Sequence, residues 1–253
     1  MNIHFRHYSG AIKEYDYLFF ECIAEVSLDE ENDALEKGWL PDDYIDYPTN
    51  KSKSDWYQAR QTRINLIDFS ETRSTKKCRK KCKDIVVKPV KAKDIDIDIA
   101  KCIFEKYTKY RGFKPWKVEP LLVTEIDRKY FLLYYLDDKP IAFTFLRDVG
   151  SNGIFSTQFA WDYQNPKLYL GKYANLAEID YCISRNKKYL YLGVGYEECC
   201  IYKSDYKGFE FWTGEKWSRD IEHYKWLCER DSKIKKITDL DKVKKYDDEH
   251  FFE

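Results

Sequence analysis

The densest group of residues able to do chemistry is a run of positive charge between Arg73 and Lys83. Seven basic side chains fall within these eleven residues: Arg73, Lys76, Lys77, Arg79, Lys80, Lys81 and Lys83. Such density is typical of a surface that contacts a phosphate backbone, because each neutralised phosphate releases condensed counterions. A solvated helix face that binds nothing has the same composition, so the residues alone leave both interpretations open.

The charge of the chain is divided unevenly along its length. The 253 residues include 44 basic and 44 acidic side chains, which gives a formal net charge of zero. Residues 1–70 contain seven basic and fourteen acidic side chains, whereas residues 71–93 contain ten and two. The neutral total therefore does not exclude a nucleic-acid partner, because an acidic N-terminal region precedes a concentrated basic segment.

The eight cysteines and four histidines show no spacing typical of a metal site. Cys78 and Cys82 stand four residues apart, and Cys199 and Cys200 are adjacent, which suits no common zinc geometry. So few scattered cysteines do not form a disulfide scaffold in a chain of this length. We predict reduced, mostly buried thiols and no metal.

Composition excludes two broad classes of protein. Hydrophobic residues make up 43% of the chain and aromatic residues 17%, which excludes a disordered chain. No apolar run approaches 18 residues, so we expect no membrane helix. The first ten residues lack the apolar core of a signal peptide, so we expect a cytoplasmic protein. We also predict that the protein is a monomer.

The elements that must position these residues follow from the hydrophobic pattern. In the first third of the chain we predict a buried strand over 17–26 and a short acidic helix over 28–37 that ends at Gly38. We predict a loop over 40–55 and a basic helix or turn over 70–84.

A change of pattern marks the remaining two thirds of the chain. A helix is expected from Asp94 to Gly112, with a periodic inward face made by Ile99, Cys102, Ile103, Tyr107 and Tyr110. Further elements are predicted at 131–136, 141–146 and 154–161 (strands), 171–186 (helix), 189–195 (strand), 196–205 (helix or turn) and 208–212 (strand). This order describes an α+β domain and resembles the order of the GNAT acyltransferase fold.

The fold class that follows is α+β, with a GNAT-like acyltransferase domain over 94–225. A smaller α+β N-terminal region, 1–70, and the basic segment 71–93 precede it, and a tail follows over 226–253. An acetyl-CoA-dependent member of this fold needs a Gln/Arg-x-x-Gly-x-Gly/Ala loop before the helix, where backbone N–H groups hold the pyrophosphate. The predicted helix opens instead with Leu170-Gly171-Lys172-Tyr173, which disfavours acetyl-CoA.

Several segments together resemble one known family. They are FSTQFAWDYQNPK (155–167), LGKYANLAEIDYCI (170–183), YLYLGVGYEECCIYKSDYKGFEFWTGEKW (189–217) and, upstream, FSETRSTKKCRKKCKDI (69–85) and YTKYRG (107–112). In this order they are similar to the aminoacyl-tRNA–protein transferases, which include eukaryotic arginyltransferases and bacterial leucyltransferases. Three features depart from the family: residues 1–70 contain only Cys22 in place of a cysteine cluster, Gly112 replaces a histidine, and no proline follows Lys207.

The resemblance implies transfer of an amino acid from charged tRNA, as co-substrate without a cofactor, to the α-amine of a protein or peptide. An aminoacyl ester is already activated, so the reaction needs a neutral amine, a proton acceptor and donors for the oxyanion. The catalytic candidates are Glu178, Tyr163, Tyr206 and Lys207. The tRNA-binding candidates are the seven residues of the basic run and Lys203, and Trp161 or Tyr163 could stack on the terminal base.

Three alternatives remain open. The donor could be the same and the acceptor a small molecule or a biosynthetic peptide, or the chain could be a catalytically silent tRNA-binding module. A coenzyme A acetyltransferase comes last. Any single candidate could equally be a surface carboxylate or a packed tyrosine, and the residues do not say whether an arginyl or a leucyl group is transferred.

Overall fold

The computed structural model describes residues 3–9, 18–42, 53–113, 117–122, 125–162, 168–196 and 198–242. Within these ranges the strands are β1 Ile3–Ser9, β2 Leu18–Ser27, β3 Trp39–Pro41, β4 Lys53–Gln58, β5 Gln61–Asn65, β6 Val86–Lys91, β7 Lys129–Leu136, β8 Lys139–Val149, β9 Gly153–Trp161, β10 Tyr189–Val194, β11 Phe209–Trp212 and β12 Trp217–Ser218. The helices are α1 Glu31–Glu36, α2 Arg73–Lys81, α3 Ile97–Arg111, α4 Leu170–Ser184 and α5 Ile221–Asp231.

The smaller sheet contains four antiparallel strands in the order β1-β2-β4-β3. The predicted strand over 17–26 is present as β2. The backbone N–H and the hydroxyl of Ser27 both donate to the Glu30 carboxylate, and α1 begins at Glu31 rather than at the predicted residue 28. The loop prediction over 40–55 is wrong where β3 and β4 extend into it, because their strand pairing outweighs a weak local pattern. Residues 43–52 of that prediction lie outside the described residues.

The larger sheet has eight strands in the order β12-β11-β5-β10-β9-β8-β7-β6. β5, from the acidic N-terminal region, lies between β11 and β10 and is antiparallel to both. β6, from the basic segment, pairs with β7 at the other edge. The larger sheet therefore contains strands from both sides of the predicted domain boundaries at residues 70 and 93. Helix α5 likewise spans the predicted boundary at residue 226. The division into domains stays a prediction.

Helix α4 is held in place by a crossover connection between two parallel strands. β9 and β10 are parallel neighbours, and α4 connects them, so α4 runs antiparallel to both strands over one face of the sheet. On this face a core cluster joins the strands to α4 and includes Leu132, Ile154 and Leu190. The other face packs Phe131 and Phe143 against α3.

The inward face of α3 differs from the predicted one. Ile103 is buried as expected, and Ile99 and Tyr107 pack half-buried against the same cluster. Cys102 is exposed and Tyr110 is 61% exposed, whereas Ala100, Phe104 and Thr108 are buried. The observed face is shifted by about one residue, toward Ala100 and Phe104, which pack in the same cluster as Phe143 and Phe145 of β8. The α+β class and its smaller N-terminal α+β region are confirmed.

Gly38 and Gly112 form a natural pair for testing backbone strain. Both have a positive φ, +73° and +67° respectively, but a Cβ at Gly38 would overlap the indole ring of Trp212 whereas a Cβ at Gly112 would touch nothing. We expect Gly112→Ala to lower the free energy of unfolding by about 1 kcal/mol and Gly38→Ala to lower it by clearly more. Urea unfolding of the two variants measures the difference, and equal losses would contradict the overlap.

Candidate functional site

The candidate site lies where two parallel strands separate. β9 and β10 pair only over Gly153–Phe155 and Tyr189–Tyr191, although both strands continue beyond that point. Each strand also changes register against its outer neighbour there: β9 between Ser156 and Gln158, and β10 between Tyr191 and Gly193. Bulges of this kind bend strands apart and are common beside active sites. The result is a gap at the carboxyl ends of β9 and β10.

Glu178 is the ionisable group that α4 brings to this gap. Its side chain is fully buried, and its Oε2 atom has no hydrogen-bond partner among the described residues. Burial raises the pKa of the carboxyl to about 7, against the opposing effects of the Ser156 and Thr144 hydroxyls and the positive charge of Lys203. A carboxyl with this pKa exchanges protons readily near neutral pH.

A chain of hydroxyl groups leads to Glu178 through the sheet. Thr144, on β8, donates to Glu178 Oε1 at 3.1 Å. The hydroxyl of Tyr134, on β7, lies 2.9 Å from Thr144 Oγ1. When Thr144 gives its one proton to the carboxylate, the proton between the two hydroxyls comes from Tyr134, whose hydroxyl also lies 3.5 Å from the carbonyl oxygen of Ala174. The arrangement orients the carboxylate through Oε1 and leaves Oε2 able to accept a proton.

Lys203 occupies the open edge of β10. Its ammonium group donates to the carbonyl oxygens of Leu192 at 2.8 Å and Val194 at 2.6 Å. The carbonyl of Gly193 accepts from Thr62 of β5 on the opposite side, so the two alternate carbonyls point toward β9. Lys203 is buried, and its ammonium is therefore already engaged inside the protein rather than presented to a tRNA phosphate on the surface.

The lysines at 203 and 207, both singled out from the sequence, should differ sharply on substitution. Lys203→Met leaves two buried carbonyls without a donor, at a cost of about 1–3 kcal/mol each. Lys207 is exposed, and Lys207→Met should change the free energy of unfolding by less than about 0.5 kcal/mol. Urea unfolding compares the two variants. A small effect at Lys203 would show that its hydrogen bonds to β10 do not stabilise the fold.

The basic run forms α2 and its C-terminal flank. Thr72 and Thr75 make reciprocal capping hydrogen bonds at its start, and Thr75 and Cys78 are buried. Arg79 points toward α4, where its guanidinium donates to both oxygens of Asp180 at 2.6 and 2.8 Å and also pairs with Glu71. Arg79 thus fixes α2 on α4. The other six basic side chains are exposed: Arg73, Lys76, Lys77, Lys80, Lys81 and Lys83.

The remaining predicted residues are placed differently. Tyr206 is buried, and its hydroxyl donates to the carbonyl oxygen of Lys172 at 3.1 Å, which joins the 3₁₀ segment Glu198–Asp205 to α4. Burial raises the pKa of the Tyr206 phenol, so this group keeps its proton. Tyr163 lies outside the described residues. Trp161 is only 7% exposed and offers little ring surface to a base.

Three hydroxyl residues of the site escaped the sequence analysis: Tyr134, Thr144 and Ser156. Thr144 is the one hydroxyl in the otherwise apolar run IAFTFL, a signal that could have drawn attention to it, whereas Tyr134 is one of two adjacent tyrosines in FLLYYL. Their meeting with Glu178 depends on strand register and on the crossover, which the local pattern does not specify. Among the described residues, no group of three or more His, Cys, Asp or Glu side chains is placed to hold a metal ion.

Comparison with known proteins shows the class to which this chain is similar: acyltransferases that use aminoacyl-tRNA. Residues 98–213 match the family model described as "Arginine-tRNA-protein transferase, C terminus". The chain is also 28% identical over 164 residues to an aspartate/glutamate leucyltransferase of Saccharophagus degradans, covering 61% of this chain and 69% of that protein. The resemblance to the aminoacyl-tRNA–protein transferase family is thereby confirmed.

Solved structures of similar fold are more distant. The L-PGS structure from Bacillus licheniformis has a TM-score of 0.48 at 7% identity, covering 68% of this chain and 54% of that one. A GCN5-related glucosamine N-acetyltransferase region of a fungal multi-domain β-N-acetylglucosaminidase has a TM-score of 0.41 at 12% identity, covering 73% and 22%. The chain spans about half or less of these proteins, and likenesses of this size carry nothing about its substrates.

No helix in the described part of the chain has both the length and the apolar composition needed to cross a bilayer. The predicted cytoplasmic location and monomeric state stay predictions.

Proposed function

We propose that this protein transfers an amino acid from charged tRNA to the α-amine of a protein or peptide, with no cofactor. The observation that carries the proposal is Glu178: a fully buried carboxyl of pKa about 7 with one free oxygen, at the gap between β9 and β10. A protein α-amine has a pKa of about 7.7–8.0, so a base of this strength suffices to take its proton.

In the proposed reaction the neutral amine nitrogen attacks the carbonyl carbon of the aminoacyl ester. The new N–C bond forms as Glu178 Oε2 accepts a proton from the amine. The ester C–O bond then breaks, and the proton passes to the departing ribose oxygen, which restores the carboxylate and frees the tRNA. Thr144 holds the carboxylate in place through Oε1, and the charge of Lys203 favours its ionised form.

The exposed residues of α2 and Lys83 are proposed to contact the phosphates of the acceptor stem. Support comes from their density and from Arg79, which attaches α2 to the same helix that carries Glu178. A surface that binds the tRNA backbone is thereby anchored to the proposed catalytic carboxyl. The relative is named a leucyltransferase and the family model an arginine-tRNA-protein transferase, so leucine and arginine are both proposed as the transferred amino acid.

Incubation with labelled, charged tRNAs and acceptor peptides tests the proposal. Peptides that begin with Asp, Glu or Arg are compared with the same peptides blocked by N-acetylation. We expect labelled amide product with an unblocked peptide only. No transfer from any of the twenty charged tRNAs would overturn the proposal. Product with free amines but with none of the peptides would favour the small-molecule acceptor instead.

A further inference from the structure

An exposed aromatic ring lies beside the basic helix and was not part of any predicted site. Tyr169, the residue before α4, is 57% exposed. The ammonium of Lys81 lies 4.0 Å from the centroid of its ring, within the range of a cation–π contact. The cation covers one face of the ring, and the exposed fraction leaves the other face available to a flat partner.

The backbone holds this ring outward at a conformational cost. Tyr169 has φ +54° and ψ +38°, a left-handed conformation that is rare for a bulky side chain. The other non-glycine residues with positive φ in the described ranges are Glu125, Asp137, Asp138 and Asn186, all of them polar. Strain of this kind persists where the surroundings enforce it, and it clusters at functional sites. The Tyr169 side chain neither caps α4 nor belongs to the buried core.

Tyr169 lies at the end of the molecule where the strands separate. Because α4 runs antiparallel to β9 and β10, its first residues lie at the carboxyl ends of both strands. Glu178 follows Tyr169 by nine residues, about 13 Å along the helix axis. A base held at Tyr169 therefore leaves this distance for the remaining nucleotides of the strand to span before the gap.

Positive charge continues from the ring along α2. Lys77 and Arg73 precede Lys81 at intervals of four residues, which places all three on adjoining turns of one side of the helix. All three are exposed. A row of cations that ends at an exposed aromatic ring is the combination that binds single-stranded nucleic acid, the cations meeting phosphates and the ring stacking on a base.

We infer that Tyr169 and Lys81 form a stacking platform for a base in the single-stranded 3′ end of the charged tRNA. This inference rests on the proposed function. Tyr169 takes the place of Trp161, whose ring is buried, as the stacking residue among the described residues. The platform holds the 3′ end between the acceptor stem on α2 and the ester at the gap.

Binding of two RNA hairpins tests the platform without requiring turnover. One hairpin carries a four-nucleotide 3′ overhang, ACCA, and the other has the same stem with a blunt end. Fluorescence anisotropy should show that the protein prefers the overhang. Tyr169→Ala should weaken overhang binding by roughly 5- to 150-fold, as for the loss of one stacked base, and leave blunt-end binding unchanged. Tyr169→Phe should keep the preference, because the ring remains.

Two further variants separate the ring from the backbone. Tyr169→Gly removes the ring and also relaxes the left-handed residue, so it should lose the overhang preference without losing thermal stability. Tyr110→Ala removes an equally exposed ring from α3 and should bind both hairpins as the wild type does. The platform would be overturned if the wild type showed no preference for the overhang, or if Tyr169→Ala kept that preference. It would also be overturned if Tyr169→Ala lost binding to both hairpins. The transfer assay tests the proposed function separately. If the overhang preference depended on the Tyr169 ring but no amino acid were transferred, the proposed function would be refuted and the platform would not.

Discussion

Replacing Glu178 with glutamine is expected to lower kcat/KM for transfer from charged tRNA by about 10²- to 10⁴-fold, the usual contribution of a positioned general base. Glutamine has nearly the same shape and can still bond to Thr144, but it cannot accept the proton of the attacking amine. Single-turnover transfer measures the loss. Glu105→Gln, an exposed change on α3, is the matched control and should transfer at the wild-type rate.

The pH dependence of the same pair distinguishes a base from a structural carboxyl. In the wild type, kcat/KM should rise with pH as Glu178 ionises near pH 7 and again as the acceptor amine loses its proton near 8. The Glu178→Gln variant should retain only the rise near pH 8, which reports loss of the proton from the acceptor amine. A variant that stays fully active, or that keeps both limbs of the profile, would rule out Glu178 as the base.

The free energy of unfolding of the wild type should fall as pH rises, whereas kcat/KM should rise. The pKa of Glu178 is raised from 4.5 to about 7 in the folded protein, so its contribution to stability is fully present below pH 4.5 and is lost as pH rises through 7. The loss amounts to about 3 kcal/mol. Glu178→Gln is uncharged at every pH, so it should be more stable than the wild type at pH 8 and about equal at pH 5. Urea unfolding at both values also shows that the inactive variant is folded.

Neutralising the exposed face of α2 is expected to raise the KM for charged tRNA on the order of 100-fold at low salt. Three exposed lysines, Lys76, Lys77 and Lys80, are changed together to alanine. The size follows from about 1 kcal/mol for each lost charge-assisted contact. The value of kcat at saturating tRNA should hardly change, because these exposed side chains have no part in the proposed proton transfer.

Salt dependence gives this prediction a second readout. Each lost phosphate contact should reduce the slope of log K against log salt by about 0.7–0.9. The control replaces three exposed lysines elsewhere, Lys106, Lys109 and Lys139, and should leave both KM and slope unchanged. If the control weakened tRNA binding as much as the α2 variant, the contact would be diffuse rather than located on α2. Equal affinity for charged and uncharged tRNA, with no transfer, would instead favour the silent binding module.

Much of the local structure followed from the sequence because its causes are local. The basic helix, the helix before Gly112, the hairpin of β7 and β8 and the helix–strand order of β9, α4 and β10 all match their hydrophobic periodicity and turn residues. The central strand β5 did not, since its place between β11 and β10 depends on partners more than 100 residues away. The inward face of α3 was placed only in part, because packing against β8, and not periodicity alone, sets the rotation of the helix.

The candidate site divides in the same way. Residue types, their order and the family resemblance placed Glu178 among four catalytic candidates and marked the basic run as a tRNA-binding candidate, because residue type and local charge density can be read without the fold. Only the tertiary structure decided their state: burial at the gap brings the pKa of Glu178 to about 7, and the carbonyls of β10 hold Lys203 inside the protein. It also joined Arg79 to Asp180 and left Tyr169 exposed. The physical reason is that desolvation and hydrogen bonding depend on neighbours distant in sequence, which side-chain type and spacing do not reveal.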